Sequence, residues 1–107
     1  MDRRRHPRIT IFSTAGLHCG GTVADILLLD LSRSGARILL PDDRSLEMNQ
    51  ALAIKLGILP ALVGYVSRRE DRVYGISLVD TLHPSVVKAA RQYCREGEPG
   101  ELGQRIA

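Results

Sequence analysis

The sequence predicts an all-β domain, a small barrel or sandwich of about six short strands finished by one C-terminal helix. Three observations carry this. Apolar residues alternate with polar or small ones in several short runs, and clusters of Gly, Pro, Asp and Ser punctuate those runs. After Leu82 the apolar spacing changes from two to three and four. The 107 residues suffice for one domain but not for two well-packed ones. Hydrophobic residues at 44% and charged residues at 25% are an ordinary globular balance, and with no Trp and one Phe the core must be filled mainly by Leu, Ile, Val and Ala.

Residues 1–8 are polar, basic and interrupted by Pro7, which pushes the preceding residue out of the α region, so an extended arm is expected there. Ile9 to Ser13 is a short β-prone run, punctuated by Gly16, Gly20 and Gly21 before a second strand over Thr22 to Leu29. Asp30-Leu31-Ser32-Arg33-Ser34-Gly35 has turn composition: Asp and Ser bond nearby backbone, and Gly takes a positive φ at no cost. In the next run Ala36, Ile38 and Leu40 share one face and Arg37 and Leu39 the other, until Pro41-Asp42-Asp43 ends it.

Leu52, Ile54, Leu56 and Ile58 alternate with Ala51, Ala53, Lys55 and Gly57, predicting a half-buried strand that Pro60 closes. Leu62 to Val66 restarts the β pattern, Ser67 to Arg72 is a charged connection, and Tyr74, Ile76 and Leu78 alternate with Gly75 and Ser77. Pro84 suits the first turn of a helix in which Val86 or Val87, Ala90, Tyr93 and Cys94 form the apolar face. Such a helix would close one open end of a barrel, which has no free strand edges. The expected organisation is an arm over 1–8, a barrel with its helix over 9–95 and a loose tail over 96–107.

Charge is unevenly placed. Arg3, Arg4, Arg5 and Arg8 against Asp2 give the first eight residues +4 − 1 = +3, and the remaining 99 sum to +11 − 11 = 0. A cluster anchored at one end suits a compact anion better than an extended nucleic-acid backbone. Cys19 and Cys94 fit neither a disulfide framework nor a zinc site and are expected as thiols. His18 and His83 lack partners at ligand spacing, so no metal or cofactor is expected. No apolar run approaches the roughly 20 residues that span a bilayer, and no hydrophobic signal segment follows the basic start, so no membrane insertion and a cytoplasmic location are expected.

Arg4 and Arg8 put two permanently charged guanidinium groups four residues apart on a proline-stiffened segment. Each planar fork suits a phosphate or the O6 and N7 acceptors of guanine. Asp30, an acceptor when ionised, suits the N1–H and N2–H donors of guanine that arginines cannot satisfy. Ser32 can bond a ligand or its own turn, and Gly35 allows a bend or a close approach of a base to the main chain. Arg37, Arg3 and Arg5 are weaker ligand candidates.

Arg4xxxArg8 followed by Asp30xSer32xxGly35 resembles the two-part signature of the PilZ domain, a bacterial receptor module for cyclic di-GMP. The resemblance spans residues 3 to 95 and includes the strand leading into Asp30, the run after Gly35, the Val73-Tyr74-Gly75-Ile76-Ser77-Leu78 strand and the closing helix. It implies a six-stranded antiparallel barrel with Arg4, Arg8, Asp30, Ser32 and Gly35 at ligand-binding positions. Arg3, directly before the first motif arginine, goes in that family with binding an intercalated pair of ligands rather than one. It implies a receptor or adaptor that changes conformation and regulates a separate effector, with motility and biofilm functions among the family's outputs. The chain carries no glycine-rich phosphate loop, nucleophile elbow or paired carboxylates, so no enzyme is expected. Two rivals compete: a protein-interaction barrel that binds no nucleotide, and an RNA or single-stranded DNA binder. The second is disfavoured by scattered aromatics, Phe12, Tyr65 and Tyr74.

Overall fold

Six antiparallel strands close on themselves in the order β1-β2-β3-β6-β5-β4. They are β1 Ile9–Cys19, β2 Thr22–Leu31, β3 Gly35–Leu39, β4 Ala51–Lys55, β5 Leu62–Glu70 and β6 Val73–Leu78, followed by the helix α1 over 84–94. The computed structural model describes residues 7–41 and 44–94. The barrel closes where Gly16, Leu17 and His18 of β1 pair with Lys55, Ile54 and Ala53 of β4. A closed barrel leaves no row of unpaired backbone groups along a strand edge.

Alternation sends Ala15 and Leu17, Ile26 and Leu28, Ala36 and Ile38, Leu52 and Ile54, Leu62 and Val66, and Tyr74 and Ile76 into the interior. Tyr74 is the largest fully buried side chain, and its hydroxyl accepts a hydrogen bond from the Leu46 N–H at 3.1 Å, so its polar end is satisfied inside the core. From α1, Ala90 and Cys94 reach the core, as the three-and-four spacing predicts, whereas Tyr93 stays half-exposed. Pro84 opens the helix, and the His83 Nδ1 accepts the Ser85 N–H at 3.1 Å, capping it. Cys19 and Cys94 form no disulfide.

Four element boundaries differ from the sequence expectation. The first strand does not stop at Ser13 but runs to Cys19, because Gly16 lies within it and only Gly20-Gly21 turns the chain. Those two glycines have φ of 57° and 82°, the two positive values a two-residue hairpin turn requires, with Cys19 and Thr22 paired across it. The fourth strand ends at Lys55: Gly57, at φ 57°, turns the chain, and Ile58 is 89% exposed instead of buried. Residues 67–70 belong to β5 and not to a connection, since the hairpin turn is only Asp71-Arg72. Finally, Asp30 and Leu31 are the last residues of β2, so the turn is shorter than its composition suggested.

Candidate functional site

A continuous alternation from Ile26 and Leu28 would point residue 30 into the barrel. Two bulges at one level prevent this. Between Thr10↔Asp30 and Ser13↔Leu28, Ile11 and Phe12 of β1 oppose Leu29 alone, and Phe12 takes φ 52° to accommodate the mismatch. Between Leu28↔Ile38 and Asp30↔Arg37, Leu29 has no partner on β3. The extra residue flips the alternation, so Asp30 leaves the core side and faces the same way as Arg37 directly across the ladder.

The carboxylate there is held from both sides. Arg8 Nη1 donates to Oδ1 at 2.9 Å, and Arg37 Nε donates to Oδ2 at 2.7 Å. The Asp30 side chain is 9% exposed while those of Arg8 and Arg37 are 44% and 52% exposed. The arrangement is therefore a sunken acceptor beneath two guanidinium groups that keep donors toward solvent. Arg37, only a weaker candidate from the sequence, is one of the two direct partners of Asp30 among the described residues. Arg3, Arg4 and Arg5 lie outside the described residues.

Ser32 is committed to its own turn. Its Oγ accepts the N–H groups of Ser34 at 3.2 Å and Gly35 at 3.1 Å, and its N–H donates to the Gly35 carbonyl at 2.8 Å. At 3% exposure it shapes the bend and presents nothing to solvent. Gly35 is not at positive φ, contrary to the flexible-bend expectation. Glycine instead relieves crowding against β6: a Cβ there would stand 3.0 Å from the Ile76 carbonyl oxygen. The turn is also pinned from the end of β6 and from the segment that follows it. Leu82 N–H donates to the Arg33 carbonyl at 2.7 Å, Arg33 Nε donates to the Leu82 carbonyl at 2.7 Å, and Leu78 N–H donates to the Ser34 carbonyl at 3.0 Å. Arg33, to which the sequence reading assigned no role beyond its place in the turn, fastens the turn to the segment entering α1.

From the arginine pair a cleft of about 290 Å³ extends over the outer face of β3, β6 and β5, lined among others by Arg8, Gly35, Arg37, Arg68, Gly75 and Ser77. The β5 contribution was not legible in the sequence, because Arg68 belongs to the stretch whose charge density reads as a loop. Among the described residues no three His, Cys, Asp or Glu side chains gather as a metal site, and no helix is long and apolar enough to cross a membrane.

The fold and site define a class: a small closed barrel carrying a cationic cleft beside a turn. The chain belongs to the PilZ domain family, whose sequence pattern matches residues 2–96. No curated protein matches the chain. Among solved structures it is similar to the Bacillus subtilis inhibitor of motility MotI/DgrA, at TM-score 0.61 and 15% identity, over 94% of this chain and 53% of that one. It is also similar to Escherichia coli YcgR in complex with c-di-GMP, at TM-score 0.52 and 17% identity, over 100% of this chain and 52% of that one. A Legionella protein, Lpg0364, matches at TM-score 0.51 and 11% identity over 89% of this chain and 97% of that one. The chain thus spans about half the length of the Bacillus and Escherichia proteins, and these likenesses concern the fold.

Proposed function

We propose that the chain is a receptor for cyclic di-GMP, not an enzyme, and that ligand binding alters its surface for a separate effector protein. The observation that carries this reading is the Asp30 carboxylate held at 2.9 and 2.7 Å between Arg8 and Arg37, two arginines that line the adjoining cleft. One face of guanine offers donors and the other acceptors, and a carboxylate flanked by guanidinium groups answers both. Membership of the PilZ domain family and the fold shared with c-di-GMP-bound YcgR support the same ligand.

Binding is an exchange of partners. The guanine N1–H and N2–H groups take over Asp30 oxygens, and the displaced guanidinium donors turn to phosphate oxygens or to O6 and N7. Because the carboxylate is never left unpaired, its desolvation adds little to the cost of binding. Arg4, four residues before Arg8 in the sequence, adds a further guanidinium for a phosphate or a guanine edge. One ligand or an intercalated pair fits this chemistry, with Arg3 and Arg5 as additional donors; Gly35 leaves the turn backbone open to a base while Ser32 holds its shape. No cofactor is involved, and the setting is the cytoplasm.

Calorimetry with cyclic di-GMP, cyclic di-AMP and GMP tests the reading. Binding of cyclic di-GMP well above the other two is expected, and equal binding of cyclic di-GMP and GMP would remove the two-sided site. A second reading, a protein-interaction barrel without nucleotide, is favoured by one observation. Val23, His18, Ala53 and Val63 form a register row across the outer face of β2, β1, β4 and β5, which Val79 continues by donating its N–H to the Val63 carbonyl at 3.0 Å. Chemical shifts that do not move on adding cyclic di-GMP would decide for that reading.

A further inference from the structure

Arg37 of β3, Gly75 of β6 and Arg68 of β5 are register partners in one row across the outer face. Strands spaced about 4.8 Å apart place the two arginine backbones roughly 10 Å from each other, with the glycine between them. A Cβ on Gly75 would stand 2.9 Å from Arg68 Cβ, 3.5 Å from its Cδ and 3.8 Å from its Cγ. The aliphatic stem of Arg68 therefore lies down across β6 instead of standing upright on β5, and glycine at 75 is what gives it room.

A bulge aims this side chain, as one aims Asp30. The β5–β6 register skips Ser67, between Val66↔Ile76 and Arg68↔Gly75, so that after the inward Val66 it is Arg68 that faces Gly75 on the outside. Ser67 is fastened by its Oγ to the Gly75 carbonyl at 3.3 Å and by the Ser77 Oγ at 2.9 Å, which fixes the bulge. The two ionic residues re-aimed by bulges, Asp30 and Arg68, thus flank the β3–β6 pair, Arg68 lining the cleft and Asp30 holding two of the arginines that line it.

Arg68 is also the arginine of the cleft whose guanidinium is wholly uncommitted. Arg8 and Arg37 are paired to Asp30, and Arg69 donates to the Asp71 carbonyl at 3.2 Å and lies 5.3 Å from the Tyr74 ring centre. Among the described residues Arg68 has no side-chain hydrogen bond or ion pair. The cleft's ionic residues, Arg8, Arg37, Arg68 and Arg69 against Glu70 and the adjoining Asp30, sum to +4 − 2 = +2, which balances a dianion. Without Arg68 the sum is +1.

We infer that Arg68 is a further arginine of the dinucleotide site, reaching across Gly75 to the phosphodiester that Arg8 and Arg37 leave uncovered. The inference rests on the cyclic di-GMP reading above. Calorimetric titration of the full chain with cyclic di-GMP tests it in four proteins: wild type, Arg68→Ala, Arg68→Lys and the charge-matched control Arg72→Ala, whose Nη1 serves the Pro41 carbonyl away from the cleft. Loss of a hydrogen-bonded charge predicts a fall of about tenfold for Arg68→Ala. Arg72→Ala stays within about twofold of wild type, and Arg68→Lys within about threefold, since an ammonium serves a phosphate as a point charge but lacks the planar fork for a guanine edge. Arg68→Ala binding as tightly as wild type would overturn the inference and leave the receptor reading standing. Arg68→Lys as weak as Arg68→Ala would overturn the phosphate assignment. A folded wild-type chain that takes up no cyclic di-GMP would end the receptor reading and this inference together.

Discussion

Arg37 Nε lies 2.7 Å from Asp30 Oδ2, and the two residues face each other across the β2–β3 ladder only because Leu29 is squeezed out of register between them. A residue that alternation assigns to the core becomes an acceptor beneath two arginines of a surface cleft, and its charge is met by a side chain seven residues later in sequence.

Removing that acceptor should separate affinity from stability. In Asp30→Ala both arginines retain water on their half-exposed faces, so the fold should lose only about 1 kcal/mol. Affinity for cyclic di-GMP should fall at least about tenfold, and discrimination against cyclic di-AMP should shrink with it. Titrations with both ligands, beside a urea unfolding curve, measure the two effects. Full affinity and full discrimination in this variant would exclude Asp30 from the site.

Arg8→Ala tests the other side of the carboxylate. Arg8 stands before β1 with its side chain 44% exposed, so the melting temperature should change little while ligand affinity drops. Arg4→Ala should act in the same direction. A large loss of stability in Arg8→Ala would show that the pair with Asp30 serves folding more than binding.

Ser32→Ala should show the opposite pattern. The hydroxyl is buried and accepts two backbone N–H groups, which the methyl leaves without a partner, at a cost of about 1–3 kcal/mol. Denaturant unfolding should find Ser32→Ala less stable than Asp30→Ala, with ligand affinity reduced only as far as the turn loosens. The reverse ranking would make Ser32 a ligand contact and not the organiser of the turn.

These contrasts mark what the sequence disclosed. Periodicity located the inward faces well, because Ala36, Ile38, Tyr74 and Ile76 obey the period of two without interruption. The motif residues Arg8, Asp30, Ser32 and Gly35 do come together, but their roles divide: Arg8, held by Asp30, lines the cleft, while Ser32 and Gly35 build the bend beside it. Bulges were the blind spot. Nothing in the residue types at Leu29 or Ser67 announces a skipped partner, since a bulge is decided by the two strands on either side. The partnership of Arg37 with Asp30 and the entry of Arg68 into the cleft both depend on bulges, so neither could be read from spacing. The β5 extension was hidden for a different reason: Arg68-Arg69-Glu70 carries loop-like charge on a strand whose far end projects beyond the core.

Gly57 and Tyr93 test how the helix is seated on the barrel. Gly57 turns the chain after β4 at φ 57°, and a Cβ there would overlap the Tyr93 ring of α1. Gly57→Ala therefore carries two penalties, a left-handed backbone conformation costing an L-residue about 1–2 kcal/mol and a steric conflict with the ring. The two can be separated by a double-mutant cycle. In a Tyr93→Ala background the steric part disappears and the backbone part remains, so Gly57→Ala should cost less there than in wild type, by an interaction energy of about 1 kcal/mol or more. Equal costs in both backgrounds would mean that the ring swings aside freely. Ala90 and Cys94, however, anchor α1 in the core, so the ring cannot leave Gly57 by moving the helix without exposing them. Deleting residues 83–95 should accordingly lower the melting temperature sharply, whereas a truncated barrel that melts where the full chain does would show that α1 adds nothing to the core.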